Sequence, residues 1–228
     1  MTPTVQPTVL LIHGFAGFAV MNRPLAAMLR STGYQPVDLS YNSWRLDLEG
    51  ICKLLGPRLE EIDTAGSPDQ PLHIVSHSMG GLVARALIKA RRPARLGRVV
   101  MLGTPNAGSE IADTLHRYAL LRPILGRAAP ALVTQRPAEI TAMLGEIDYP
   151  VGIIAGDRPM MRYGASRLLP GPSDGKVSVA STRLKNATDH IVLPLSHMLL
   201  PYHPTAHAQI KHFLSEGRFA HSRALTKP

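Results

Sequence analysis

Short apolar runs alternating with helix-length segments confine this chain of 228 residues to an α/β architecture. Thr8 to Ile12 is nearly continuous in apolar residues, the pattern of a strand covered on both faces in a parallel sheet. Pro36 to Tyr41, Leu72 to Val75, Arg98 to Leu102, Val151 to Ala155 and Ile191 to Leu193 read as further strands. Helical segments lie between them. One starts at Asn22, carries Pro24 in its first turn and ends near Gly33; a second runs from about Leu46 to Ile62, with Gly50 and Gly56-Pro57 interrupting its pattern. In a third, Met79, Leu82, Val83, Ala86, Leu87 and Ala90 recur at helical spacing, so one apolar face packs on the sheet. A short helix over Val177 to Thr182 and a closing one over His203 to Ser215 complete the set. The order calls for about six mostly parallel strands with helices on both faces.

A hydrophobic content of 45% over this length suits one domain, residues 1–228. Within it, residues 107–149 are broken by Pro123, Gly126, Pro130 and Pro137 and read as a small helical cap insertion over the strand ends. Asp157 to Gly175 is a long loop carrying Met160, Met161 and Tyr163, and loops of this length tend to be functional. The single cysteine, Cys52, excludes an internal disulfide framework, and no zinc-type Cys/His spacing occurs, so no cofactor or metal is expected. Met1 to Pro7 has neither a basic nor a long apolar stretch, and no segment is long enough to span a bilayer, which points to a cytoplasmic protein without integral membrane association. The formal charge of +9 is densest at Arg85, Lys89, Arg91, Arg92, Arg95 and Arg98, near the end of the third helix. Cations there complement a helix C-terminus, away from the strand ends where ligands bind, so the run reads as a solvated face and nucleic acid is not an expected partner.

Ser76-His77-Ser78-Met79-Gly80-Gly81 sits between a strand and a helix and has the form of a nucleophile elbow, with Ser76 in place of the usual first glycine. Gly80 allows close backbone approach, and Ser78 lies at the positive end of the helix dipole. A serine nucleophile needs a base, a carboxylate to orient it and donors for an oxyanion. His197, just past the final strand, is the candidate base, and of the later histidines only His203 is close enough to be an alternative. The acid is Asp157 or Asp174; the glycine after Asp174 permits a tight turn with a projecting carboxylate, which favours Asp174. By position, the oxyanion donors are the backbone N–H groups of Phe15 and Met79. His13, His77, Met160 and Tyr163 are further candidates for contacting substrate, and the apolar residues of 111–148 suggest an acyl pocket.

Taken together, Leu11-Ile12-His13-Gly14-Phe15, Ser76 to Gly81, Leu102 to Ser109, Asp174 to Val179 and Ser196-His197 resemble the α/β-hydrolase superfamily, most of all compact bacterial esterases and lipases. The resemblance covers Val9 to about Leu214 and implies an α/β-hydrolase fold without the two leading antiparallel strands of larger members. It also implies a Ser78, Asp174, His197 triad that hydrolyses small-molecule carboxylic esters with an apolar acyl group through an acyl-enzyme. An acyltransferase or thioesterase would use the same site. Two positions depart from the resemblance. Asn106 stands where many such lipases have His, and Met198-Leu199-Leu200 follows His197 where calcium-dependent relatives have an aspartate.

Overall fold

The computed structural model describes residues 6–118, 120, 126–160 and 168–221. Six strands form one parallel sheet: β1 (Thr8–Ile12), β2 (Gln35–Leu39), β3 (Leu72–His77), β4 (Leu96–Leu102), β5 (Val151–Gly156) and β6 (Asp189–Leu193), in the order β2-β1-β3-β4-β5-β6. Helices α1 (Arg23–Ser31), α2 (Leu48–Ala65), α3 (Met79–Ala90), α4 (Glu110–Arg117), α5 (Ala129–Leu132), α6 (Ala138–Leu144), α7 (Val179–Thr182) and α8 (Pro204–Glu216) connect and flank the strands. From β1 the chain moves outward to β2, then crosses back to β3 on the other side. The crevice between the ends of β1 and β3 is therefore the point where strand order reverses, the place where open parallel sheets bind ligands. Ile12 pairs with Ser76 there, and Ser76 with Met101, so the loops after β1, β3 and β4 leave the sheet at one level.

Side-chain alternation divides the sheet between two cores. Leu10, Ile12, Ile74, Val99, Met101 and Ile153 join residues of α2 and α3, while Val9, Leu11, Val75, Val100, Leu102 and Ile154 join residues of α1 and α8. Every residue of α3 from Met79 to Ile88 is buried, not one face only, because α2 and α6 cover the sides that the sheet leaves open. α2 continues through Gly50 and Pro57: Asp47 caps it by accepting from the Gly50 N–H at 2.8 Å, and buried Ile51, Leu55 and Leu59 hold both halves on the core.

Three members of the basic run, Arg85, Arg95 and Arg98, make internal cross-links, Arg98 by donating to the Leu214 carbonyl, which corrects the expectation of a solvated face. Arg85 is 8% exposed and donates to the Asn106 side-chain oxygen and the Gly145 carbonyl. Arg95 is nearly buried and donates to the carbonyls of Ile62, Asp63 and Gln70, closing the junction of α2 with β3 and β4. Arg91 and Arg92 are half-exposed and pair with Glu60 and Asp148. In the 107–149 segment, α6 and α5 pack against α3, α4 packs on α5, and Ala112, Ala129, Leu132 and Leu144 join the same core.

Candidate active site

The turn from β3 into α3 places Ser78 at φ 55°, ψ −128°, a conformation that costs a non-glycine residue about 1–3 kcal/mol and persists only where the surroundings enforce it. The enforcement is visible. The Ser78 N–H donates to the Leu102 carbonyl at 2.8 Å, and the Gly81 N–H donates back to the Ser78 carbonyl at 3.0 Å. A Cβ on Gly80 would lie 2.3 Å from the Ile12 carbonyl oxygen, and one on Gly14 would lie 2.9 Å from the Ser78 Cβ, so the elbow and the loop after β1 meet backbone to backbone. Ser76 is accommodated because its hydroxyl turns toward β4 and donates to the Val100 carbonyl at 3.3 Å.

Asp174, 2% exposed, lies in the turn 173–178, with Gly175 at φ 97°. One carboxylate oxygen accepts from the N–H groups of Lys176 (2.9 Å) and Val177 (2.8 Å); the other accepts from His197 Nδ1 at 2.7 Å. The His197 N–H also donates to the Asp174 carbonyl at 2.9 Å, so the two residues are tied through backbone and side chain. With the Nδ1 proton directed at a carboxylate, Nε2 keeps its lone pair and is free to accept a proton. A Cβ on Gly103, at φ 55°, would fall 2.9 Å from the Asp174 carboxylate and 3.1 Å from His197 Nδ1, so only glycine leaves room for this pair. Asp157 does not reach His197; it lies beside Arg158.

Ser78, His197 and Asp174 line one cavity of about 620 Å³ at the C-terminal edge of the sheet. Phe15 lines it too, and among the described residues no internal acceptor is found for the N–H of Phe15 or Met79. At the first position of a helix such an amide has no partner within the helix.

His13 and His77 both line the cavity, but each has an internal task. His13 Nδ1 donates to the Gly14 carbonyl (2.9 Å) and its Nε2 accepts from the Tyr41 N–H (3.3 Å), so neither ring nitrogen is left for a ligand. Tyr41 stacks on the His13 ring at 4.5 Å and donates its hydroxyl to the His13 carbonyl at 2.7 Å; it is a buried brace of the loop after β1. His77 Nε2 donates to the His197 carbonyl at 3.0 Å, and the two rings lie 4.7 Å apart. Burial pushes the His77 pKa well below the usual imidazole range, and the neighbouring His197 adds to that effect. Burial also lowers the His13 pKa. Met160 lines the cavity and is exposed, while Tyr163 and Met161 lie outside the described residues. Trp44 is partly exposed and meets Phe15 edge-on at 5.2 Å.

Asn106, the first departure noted in the sequence, is 5% exposed and donates to the Thr182 carbonyl at 2.8 Å while accepting from Arg85, so it ties the loop after β4 to α7. Among the described residues, no three His, Cys, Asp or Glu side chains converge as a metal site, and no helix is long and apolar enough to cross a membrane. The His13–Tyr41 brace escaped sequence reading because it joins residues 28 apart, at the ends of strands whose adjacency no local pattern announces.

A family model described as a domain of unknown function, DUF7379, matches residues 54–157. Phospholipase YtpA of Bacillus subtilis (strain 168) is 30% identical over 109 residues; the shared stretch is 45% of this chain and 42% of that protein's length. Among solved structures, the mature form of Bacillus licheniformis lipase BlEst2 superposes with a TM-score of 0.75 at 20% identity, over 93% of this chain and 92% of that one. Phospholipase PlaB from Legionella pneumophila superposes with a TM-score of 0.69 at 15% identity, over 92% of this chain and 60% of that one. With six parallel strands, an elbow after β3 and these structural likenesses, the chain has the α/β-hydrolase fold.

Proposed function

We propose that the protein is a serine carboxylic ester hydrolase, an esterase or lipase working through an acyl-enzyme. The observation that carries this reading is the buried His197–Asp174 bond of 2.7 Å on the wall of a cavity that Ser78 also lines. The names of similar proteins, a lipase and two phospholipases, are in keeping with it. His197 Nε2 takes the Ser78 hydroxyl proton as the oxygen attacks the ester carbonyl. Asp174 stabilises the imidazolium that forms, and the Phe15 and Met79 amides receive the negative charge on the carbonyl oxygen. Collapse of the tetrahedral intermediate breaks the bond to the alcohol, which leaves with the proton from His197. Water, activated by the same imidazole, then frees the acid and restores Ser78.

The acyl group would lie against Ile111, Ala112, Leu115 and Leu132, which α4 and α5 bring to the cavity wall. In this reading the chain is one domain in which residues 107–149 supply that apolar cover. A Ser78→Ala variant is expected to lose hydrolysis of p-nitrophenyl butyrate by at least about 10³-fold. Wild type should be labelled at Ser78 by a fluorophosphonate. Hydrolysis by Ser78→Ala at the wild-type rate would refute the mechanism.

A further inference from the structure

The cavity is apolar where α4 and α5 line it, and it also carries charge. Apart from its histidines and Tyr202, the described lining has two ionisable side chains, Asp174 and Lys176. The Asp174 carboxylate is committed to three internal donors. Lys176 is exposed, and among the described residues no carboxylate lies within ion-pair distance of it. Its ammonium instead rests 3.8 Å from the neutral thioether of Met198. Among the described residues the cavity lining therefore holds one ammonium with no paired carboxylate, at a place that can be related to the reaction. Met198 follows His197, and His197 is the group that hands its proton to the departing alcohol. The Lys176 ammonium thus stands beside the residue next to the base, on the approach that the leaving alcohol shares with His197.

We infer that the site selects esters of an anionic alcohol, with a phosphate or carboxylate on the leaving group meeting the Lys176 ammonium and an apolar acyl chain lying against α4 and α5. This rests on the ester-hydrolase reading. The turn that holds the catalytic acid thus has two functions: its backbone N–H groups fix Asp174, and its one long side chain reads the charge of the substrate. Because the Lys176 contact to Asp174 is made by backbone, replacing the side chain leaves that hydrogen bond in place. The contact with substrate is partly exposed, so its effect is modest and sensitive to salt.

The test compares kcat/KM for octanoyl esters of glycerol, glycerol phosphate, glycerate and glycerophosphocholine, each below its aggregation limit. The readout is the ratio of each ester to the glycerol ester, which a general loss of activity does not move. Wild type should favour the two anionic esters about threefold to tenfold, with the zwitterionic ester near the neutral one and the preference shrinking in 1 M salt. Lys176→Met should bring the ratios to about one, Lys176→Glu should invert them, and Lys176→Arg should keep them. Equal ratios for glycerate and glycerol phosphate assign the selection to charge alone; a higher ratio for the phosphate adds its extra oxygens as acceptors. A wild type without anionic preference, or a Lys176→Met variant that keeps it, overturns the inference while leaving the ester hydrolase standing. Failure of wild type to cleave any of the esters or to be labelled at Ser78 removes both.

Discussion

Replacing Gly80 with alanine tests the link between backbone packing and chemistry most directly. The added Cβ would sit 2.3 Å from the Ile12 carbonyl oxygen, 2.6 Å from that of His13 and 3.0 Å from the Ile12 carbonyl carbon. None of these atoms is the end of a flexible side chain. Restoring ordinary contact, at about 3.5 Å, requires the start of α3 to withdraw from β1 by about 1 Å. Overpacking of this kind costs about 1–3 kcal/mol, which for a protein of this size lowers Tm by about 2–12 °C. The displacement also moves the neighbouring Met79 amide and Ser78 relative to the Phe15 loop, and misplacement by about 1 Å is worth about 10²-fold in rate. The expected result on p-nitrophenyl butyrate is a fall in kcat of that order with a smaller change in KM, together with a lower melting temperature by circular dichroism. Gly33→Ala is the control: at φ 86° the alanine is strained, yet nothing lies within 4 Å of its Cβ, so Tm should fall while kcat stays at wild type. A Gly80→Ala enzyme with unchanged Tm and kcat would show that the close approach of β1 and α3 does not set the elbow.

Three further outcomes follow from the site and its surroundings. Asp174→Asn should lower kcat by about 10⁴-fold, since an amide in place of the carboxylate favours the wrong His197 tautomer, while Asp157→Asn should remain near wild type; assays of the two side by side decide the acid. His77→Phe keeps a ring beside His197 but loses the donor to its carbonyl, whereas His77→Gln keeps a donor and loses the ring. If the hydrogen bond positions His197, Gln retains more kcat than Phe at comparable Tm, and the reverse order would assign His77 to packing alone. Stability should fall on acidification: His13, His73, His77 and His190 all have pKa values lowered chiefly by burial, so the unfolded chain binds more protons as pH drops through about 6.5. For His73, lowered to about 4, the loss by pH 4 is on the order of 3 kcal/mol. Urea melts with equal midpoints at pH 7.5 and pH 5 would contradict this.

Much of the fold was legible because local chemistry repeats what the tertiary structure requires. The apolar runs at Thr8–Ile12 and Val151–Gly156 are buried along their whole length, and that is what a parallel strand needs on both faces. Asp174-Gly175 announced its own turn, since a carboxylate that accepts from the N–H groups two and three residues on is a local device. Ser78, His197 and Asp174 were legible as candidates for the same reason: each follows a strand, and in a parallel sheet every strand delivers its C-terminal loop to one edge. Arg85 and Arg95 were misread because burial of a cation depends on partners such as Asn106, Gly145 and Ile62, far away in sequence. The continuity of α2 through Pro57 likewise depends on a core that no helical propensity encodes.

The chain by itself determined the alternation of strands and helices, the strained serine turn and the aspartate turn, because backbone preference and short-range hydrogen bonding act within a few residues. Only the tertiary structure decided which aspartate meets His197, that His13 is held by Tyr41 and not left open to a ligand, and that Lys176 reaches the cavity lining with no carboxylate paired to it among the described residues. Those outcomes depend on which loops the strand order brings together at the crevice between β1 and β3, and distance across a sheet edge is a property of the folded chain alone.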